Sequence, residues 1–327
     1  MRPGLIARSA PFVLALVLTS CGLPSAGAPS GSPATSPPTP STTPSGDPAT
    51  VTGRVTVGTS PCGIIGAAGS IWVSLYGEGE LVELDPTTLA VRRTVPVGTS
   101  PCGLAYGAGS IWVENYGSDD VTRVDATTGT VVATIDVGGS PFDIAVVGDS
   151  AWVTDYASQG ISRISLSTNK RTVIDVDASP VGIVGAGGKV WVGLLDGTAL
   201  ALDPTSGAVV SRLDIGEEAT WTAAAGDELW IGDRAGKAVV HVNARTGTIT
   251  GRAPLAAIPL DGDVLEGVAW IPDKLGRLHG FDAVTGEPKG LLDSQVTEPF
   301  VIAGFDGLLW AADFQGTDVV RIKPPAP

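Results

Sequence analysis

Two identical heptapeptides, VGTSPCG at 57–63 and again at 97–103, set Cys62 and Cys102 at the same point of a recurring segment. Such a pair either joins as a disulfide or stays as two free thiols copied with the repeat. No Cys–His zinc spacing, Ser–His–Asp set or Gly-rich phosphate loop accompanies it. The other residues that break the repeat are aromatic and acidic. Phe142, Trp221 and Phe300 are bulky at the start of the first apolar run of their units, and Asp143 and Asp261 stand just after that position, where units one, two and four hold glycine. A second set, Tyr76, Tyr116, Tyr156 and Phe314, falls four residues after a recurring tryptophan; the same position holds Leu195, Arg234 and Lys274 in the remaining units. Flat aromatic surfaces beside carboxylates suit a sugar, a peptide or a cation. The same rings would also serve to cover loop backbone or fill a channel.

Tryptophan shows which elements must hold these residues. Trp72, Trp112, Trp152, Trp191, Trp230, Trp270 and Trp310 recur every 39 or 40 residues, and only Trp221 is off the period. Each lies in a consecutive apolar run such as SIWV, as in a strand buried on both faces. Around it stand a short apolar run after Pro, a third run ending in Asp, a turn such as DATTG, and a β-branched fourth run. A period near forty with four strands per unit predicts a β-propeller, here all-β with seven four-stranded blades. The seventh unit stops after three runs, whereas VTGRVTVG at 51–58 fits the fourth-strand pattern. The N-terminal strand is therefore expected to complete the last blade and remove the open edges of the ring. The tryptophans are expected between blades, and Asp85, Asp125, Asp203 and Asp282 as caps of their own turns. On a narrow ring, equivalent points of adjacent blades lie within disulfide reach, so Cys62 and Cys102 are expected to be bonded.

Units of the form SPxGI…WVxNYGSxxVxxVDxxTGxVVATIxVG resemble YVTN-type propeller repeats, a resemblance that implies the fold and leaves the activity open. Streptogramin lyases are similar seven-bladed proteins with a His base at the channel mouth. Here the corresponding first-strand positions read as Cys62, Cys102, Phe142, Val181, Trp221, Leu260 and Phe300, and His241 and His279 fall in third strands. That reading disfavours a lyase of the same type.

The N-terminus carries a basic start, Arg2 and Arg8, and a short apolar run, Pro11–Leu18. The run LTSC, Leu18–Cys21, resembles the lipobox of bacterial lipoproteins, which implies cleavage before Cys21 and lipid on its sulfur. Two acyl chains suffice for stable anchoring. Residues 1–20 are read as the signal, 21–50 as the lipidated cysteine and a Pro/Ser/Thr-rich disordered tether, and 51–327 as the propeller. The tether would span ~90 Å when extended. A net charge of −14 with 17% charged residues excludes nucleic acid as partner, since phosphate binding needs a basic patch. The sequence thus reads as a monomeric, lipid-anchored protein at the extracytoplasmic face of the cell membrane. Its role is non-catalytic binding of an envelope protein, peptide or glycan, without a cofactor; the alternative is a lyase or hydrolase at the channel mouth.

Overall fold

The computed structural model describes residues 50–325. The signal, Cys21 and residues 22–49 lie outside them. Blade 1 consists of Pro61–Ala67, Ser70–Leu75, Glu80–Leu84 and Val91–Pro96, an antiparallel meander from the axis outward. Six further four-stranded sheets repeat this order around the ring, making the expected all-β, seven-bladed propeller. The first two strands of a blade are joined by a two-residue hairpin. In blade 1 this is Ala68–Gly69, with φ of 51° and 76°. Two positive φ values define a type I′ turn, whose twist matches the strands it connects.

Each tryptophan of the period serves the next blade's core. Trp72 and Leu81 of blade 1 bury against Leu104, Ile111 and Val113 of blade 2. Trp310 and Ala312 of blade 7 bury against Ile64, Ile71 and Val73 of blade 1. In blades 2, 3 and 7 an arginine of the third strand covers the indole and joins the blades a second time. Arg123 lies 4.7 Å from the Trp112 ring and donates to the Leu166 carbonyl of the next blade at 2.7 Å. Arg163 does the same over Trp152, reaching the Thr205 carbonyl at 2.7 Å. Arg321 covers Trp310 and donates to the carbonyls of Pro86 and Thr87 in the first DxxTG-like turn. The turn aspartates cap their own backbones as expected. The Oδ1 of Asp125 accepts from the N–H groups of Thr127 and Thr128 at 3.0 and 2.7 Å, and Asp85, Asp203 and Asp282 do likewise.

Blade 7 consists of Pro299–Phe305, Leu308–Asp313 and Asp318–Lys323, and its outer strand is Thr50–Thr56. The closing strand thus begins at Thr50, one residue earlier than the sequence pattern implied. Its register runs from Thr50 opposite Lys323 to Thr56 opposite Asp318. Arg54 and Thr56 both bond the Asp318 carboxylate, at 3.0 and 2.8 Å. Deleting residues 50–56 removes this ladder and exposes the edge of the preceding strand. The melting temperature of that truncation is expected to fall by roughly 10 °C or more, on the usual conversion of a few kcal/mol for a domain of this size. Deleting 22–49 is expected to leave it unchanged, and calorimetry of both truncations checks the pair.

At the axis, Cys62 and Cys102 form a disulfide between the first strands of blades 1 and 2, with Cα atoms 4.9 Å apart. A Cβ on Gly63 would collide with the Cys102 carbonyl oxygen, so glycine permits this approach. The Ser74 hydroxyl donates to the same carbonyl at 2.6 Å and accepts from the Gly63 N–H at 2.9 Å. A bond closing a loop of 40 residues contributes ~4 kcal/mol on the chain-entropy model. Cys62→Ser/Cys102→Ser is expected to lose a stability of that order in urea titration. Unfolded, unreduced propeller lacking Cys21 is expected to show no free thiol.

Candidate functional site

The loops before each first strand and after each second strand emerge together, tied by one recurring backbone bond. The N–H groups of Tyr76, Tyr116, Tyr156, Leu195, Arg234, Lys274 and Phe314 donate to the carbonyls of Ser60, Ser100, Ser140, Ser179, Glu218, Ile258 and Glu298. All four aromatics of the loop set therefore sit on one face, around the mouth of the axial channel. The two aromatic sets that the sequence kept apart meet there. Phe142, Trp221 and Phe300 belong to blades 3, 5 and 7, which are not neighbours, so their rings touch only by reaching over the mouth. Trp221 stacks on Phe142 at 5.2 Å between centroids and meets Phe300 edge-on at 4.9 Å. Phe142 extends the contact to Tyr116 and Tyr156, and Phe300 to Phe314 and thence Tyr76, at 5.2–6.2 Å. Seven rings form one connected patch. Its rim carries two ion pairs: Arg234 bonds Glu218 at 2.5 Å and Lys274 lies 3.9 Å from Glu298.

One assignment from the sequence needs correction. In blade 5 the residue equivalent to Cys62, Cys102 and Phe142 is Thr220, not Trp221. The pairing of Pro141 with Asp155 is matched by that of Ala219 with Asp233, which fixes the count. Trp221 stands one place further along, level with Gly63, Gly103, Asp143, Gly182 and Asp261. The sequence count slipped because blade 5 lacks the proline that opens the first strand in the other blades.

Behind the rings runs a cavity of about 350 Å³, lined by first-strand residues from Phe142, Trp221 and Phe300 to Gly66, Tyr106, Ala224 and Gly304 at the other end. Asp143 and Asp261 line it as the sequence placed them, and Asp263 joins them. Sequence reading missed Asp263, although it stands opposite Trp270 where Ile65, Ala105 and Ala145 stand opposite theirs. It also missed Glu114, which replaces the hydroxyl of Ser74 or Thr154 on the second strand. Asp143 and Asp263 are braces between blades. Asp143 accepts from Ile144 and from Ile183 of blade 4, and Asp263 from Val264 and from Gly304 of blade 7, all at 2.7–2.8 Å. Asp261 differs, because its Oδ1 is shut from solvent without a partner. The fully buried Glu114 accepts from the Gly103 N–H through Oε1 while its Oε2 has no partner.

Burial dominates the ionisation of this group. It pushes Asp143 up to about 7 against two backbone N–H groups that favour the anion. Asp261 rises well above the usual range through burial and the nearby charges of Asp143 and Asp263. Asp263 and Glu114 are raised chiefly by burial as well. Among the described residues no set of three His, Cys, Asp or Glu is arranged to hold a metal ion. Both histidines lie in third strands, away from the channel. His241 stacks on Trp230 and bonds Glu228 at 2.7 Å, and His279 bonds Asp273 at 2.9 Å.

The chain matches the family model described as glutamine cyclotransferase over residues 50–151, which comprise the closing strand, blades 1 and 2 and the start of blade 3. The matching model is thus not that of the YVTN-type repeats which the sequence resembles. No curated protein matches the chain. Among solved structures, hydrazine synthase of Kuenenia stuttgartiensis superposes with a TM-score of 0.71 at 17% identity, over 82% of this chain and 96% of that one. A streptogramin B lyase gives 0.74 at 15% identity, over 84% and 97%. The β-propeller domain of Cps50 (Swd1) from Myceliophteria thermophila gives 0.73 at 12%, over 85% and 100%. At these identities the likeness is one of fold.

Two groups of carboxyls give stability opposite pH dependences. Those of the channel, with folded pKa values above ~4, keep their protons in the folded state while the unfolded chain loses its own. Their contribution therefore declines as pH rises from ~4 through about 7 for Asp143. Asp85, Asp125, Asp203 and Asp282 are held low by turn N–H groups, so their contribution is present above ~4 and lost as pH falls further. The melting temperature is expected to peak near pH 5 and decline toward pH 8. Asp261→Asn is expected to flatten the upper limb; an unchanged slope in that variant would assign the limb elsewhere.

Proposed function

We propose that the chain is a binding protein of the cell envelope, tethered through lipidated Cys21 and residues 22–49 to the extracytoplasmic face of the membrane. It presents the aromatic patch at the channel mouth to a peptide or glycan, alone or as part of an envelope protein. The observation that carries this reading is the convergence of rings from blades 1, 2, 3, 5 and 7 into one half-buried surface, with its neighbouring cations Arg234 and Lys274 engaged by Glu218 and Glu298. Rings of this kind offer contact area at small cost in side-chain entropy. The disulfide supports an exported location, because such bonds persist in oxidising compartments.

A second reading is catalytic. It has in its favour the glutamine cyclotransferase match at 50–151 and a channel carboxyl in that stretch, Asp143, whose pKa of about 7 suits proton transfer near neutrality. Both oxygens of Asp143 are engaged by backbone N–H groups, and that favours the binding reading.

Soluble peptides and glycans can be screened by thermal shift and the hits titrated against three variants. Tyr156→Ala and Phe314→Ala are expected to weaken binding about tenfold, the loss of ~1.4 kcal/mol each. Thr128→Ala, in a turn on the opposite face, is expected to leave it unchanged. Loss confined to Thr128→Ala would move the site to the turn face. Ammonia released from glutaminyl peptides, and abolished in Asp143→Asn, would establish the catalytic reading instead.

A further inference from the structure

The channel behind the rings has an uncompensated charge problem. Its lining holds three carboxyls, Asp143, Asp261 and Asp263, and no lysine, arginine or histidine. Glu114 adds a fourth carboxyl behind Gly103, where a Cβ would stand 3.0 Å from its Cγ and 3.3 Å from the Asp143 Oδ1. Backbone N–H groups answer Asp143 and Asp263. The Oδ1 of Asp261 and the Oε2 of Glu114 are buried and unanswered. Buried carboxyls without a counter-ion are neutralised by protons or by a bound cation.

Three features decide what kind of cation fits. About 350 Å³ is far more than a bare ion needs and lies in the range of small-molecule pockets. The rest of the lining is mainly Gly, Ala, Ile and Val, which suits a carbon body. Over one end lie Phe142, Trp221 and Phe300, and aromatic rings attract an alkylated ammonium group. These rings interlock at the mouth, whereas the far end is bordered by Gly66, Gly304, Ala224 and Tyr106, which is 46% exposed.

We infer that the axial channel binds a small organic cation, an alkylammonium held between the carboxyls of Asp143, Asp261 and Asp263 and the inner side of the ring plug, with access from the far end. This site is separate from the docking face proposed above: it uses the channel interior and the opposite opening.

The test is isothermal titration of the full-length protein at pH 7 with butylammonium and tetramethylammonium chlorides, with butanol and calcium chloride as controls. Both ammonium ions are expected to bind and to raise the melting temperature, butanol and calcium to do neither. Binding draws the neighbouring carboxyls toward the ionised form. Titration in buffers of different ionisation enthalpy is therefore expected to show protons released from the group that faces the site, namely Asp143, Asp261, Asp263 and Glu114. Asp261→Asn is near-isosteric and relieves like-charge crowding; it is expected to weaken binding at least tenfold. Asp263→Asn provides a second reading of the same loss if Asp261→Asn fails to fold. Thr128→Ala, in a turn away from the channel, is expected to bind as the unaltered protein does. Absence of binding by both ammonium ions, an equal response to butanol, a response to calcium alone, or undiminished binding in the folded Asp variants would each overturn the inference.

Discussion

A four-stranded blade has two apolar faces and cannot bury either of them by itself. Each blade here solves that problem by lending its tryptophan to the next, and the arrangement holds only if the last blade finds the first. Trp310 completes the core of blade 1 as Trp72 completes that of blade 2. The ring is thus a set of seven similar interfaces, each dependent on the count being right. In blades 2, 3 and 7 an arginine over the indole carries the same dependence to the periphery, where it holds the turn of the following blade.

Packing at the interfaces leaves the axis as the place where residues are free to differ. Seven first strands converge there, so side chains meet across the centre that would never meet along the rim. Trp221 touches both Phe142 and Phe300 for this reason. The same convergence brings Asp143 and Asp261, from blades 3 and 6, near enough for each charge to oppose the other. Such carboxyls cost stability at neutral pH. The interlocked ring supplies a frame rigid enough to keep them half-buried, and Asp143, like Asp263, strengthens that frame by bracing adjacent blades.

The period of the tryptophans made the architecture readable, because burial between blades demands the same residue at the same place in each unit. Closure by the N-terminal strand was readable from the missing fourth run of the last unit, and the disulfide from two thiols at equivalent points. The site was less legible. Counting from the prolines misplaced Trp221 by one residue, since Ala219 replaces the proline in that blade. Asp263 hid beside Asp261: only the strand register shows that it faces Trp270 in place of an aliphatic residue. The junction of the two aromatic sets was not legible at all. Contacts between blades 3, 5 and 7 depend on ring size and side-chain reach, and neither is written in a repeat pattern.

The closing strand has a mechanical consequence. Thr50 lies on the outer edge of blade 7, opposite Lys323, so tension transmitted along the chain from residue 49 enters the molecule at its seam. The seam is held by backbone ladder bonds, the Asp318 contacts and the hold of Arg321 on the strand and the neighbouring turn. Among the described residues no disulfide crosses it, whereas the one between blades 1 and 2 joins their inner strands beside the axis. Under load the molecule would therefore yield first by peeling open at blade 7, with blades 1 and 2 still joined. The ring then has a built-in order of failure, beginning where the chain is pulled and ending at its stapled pair.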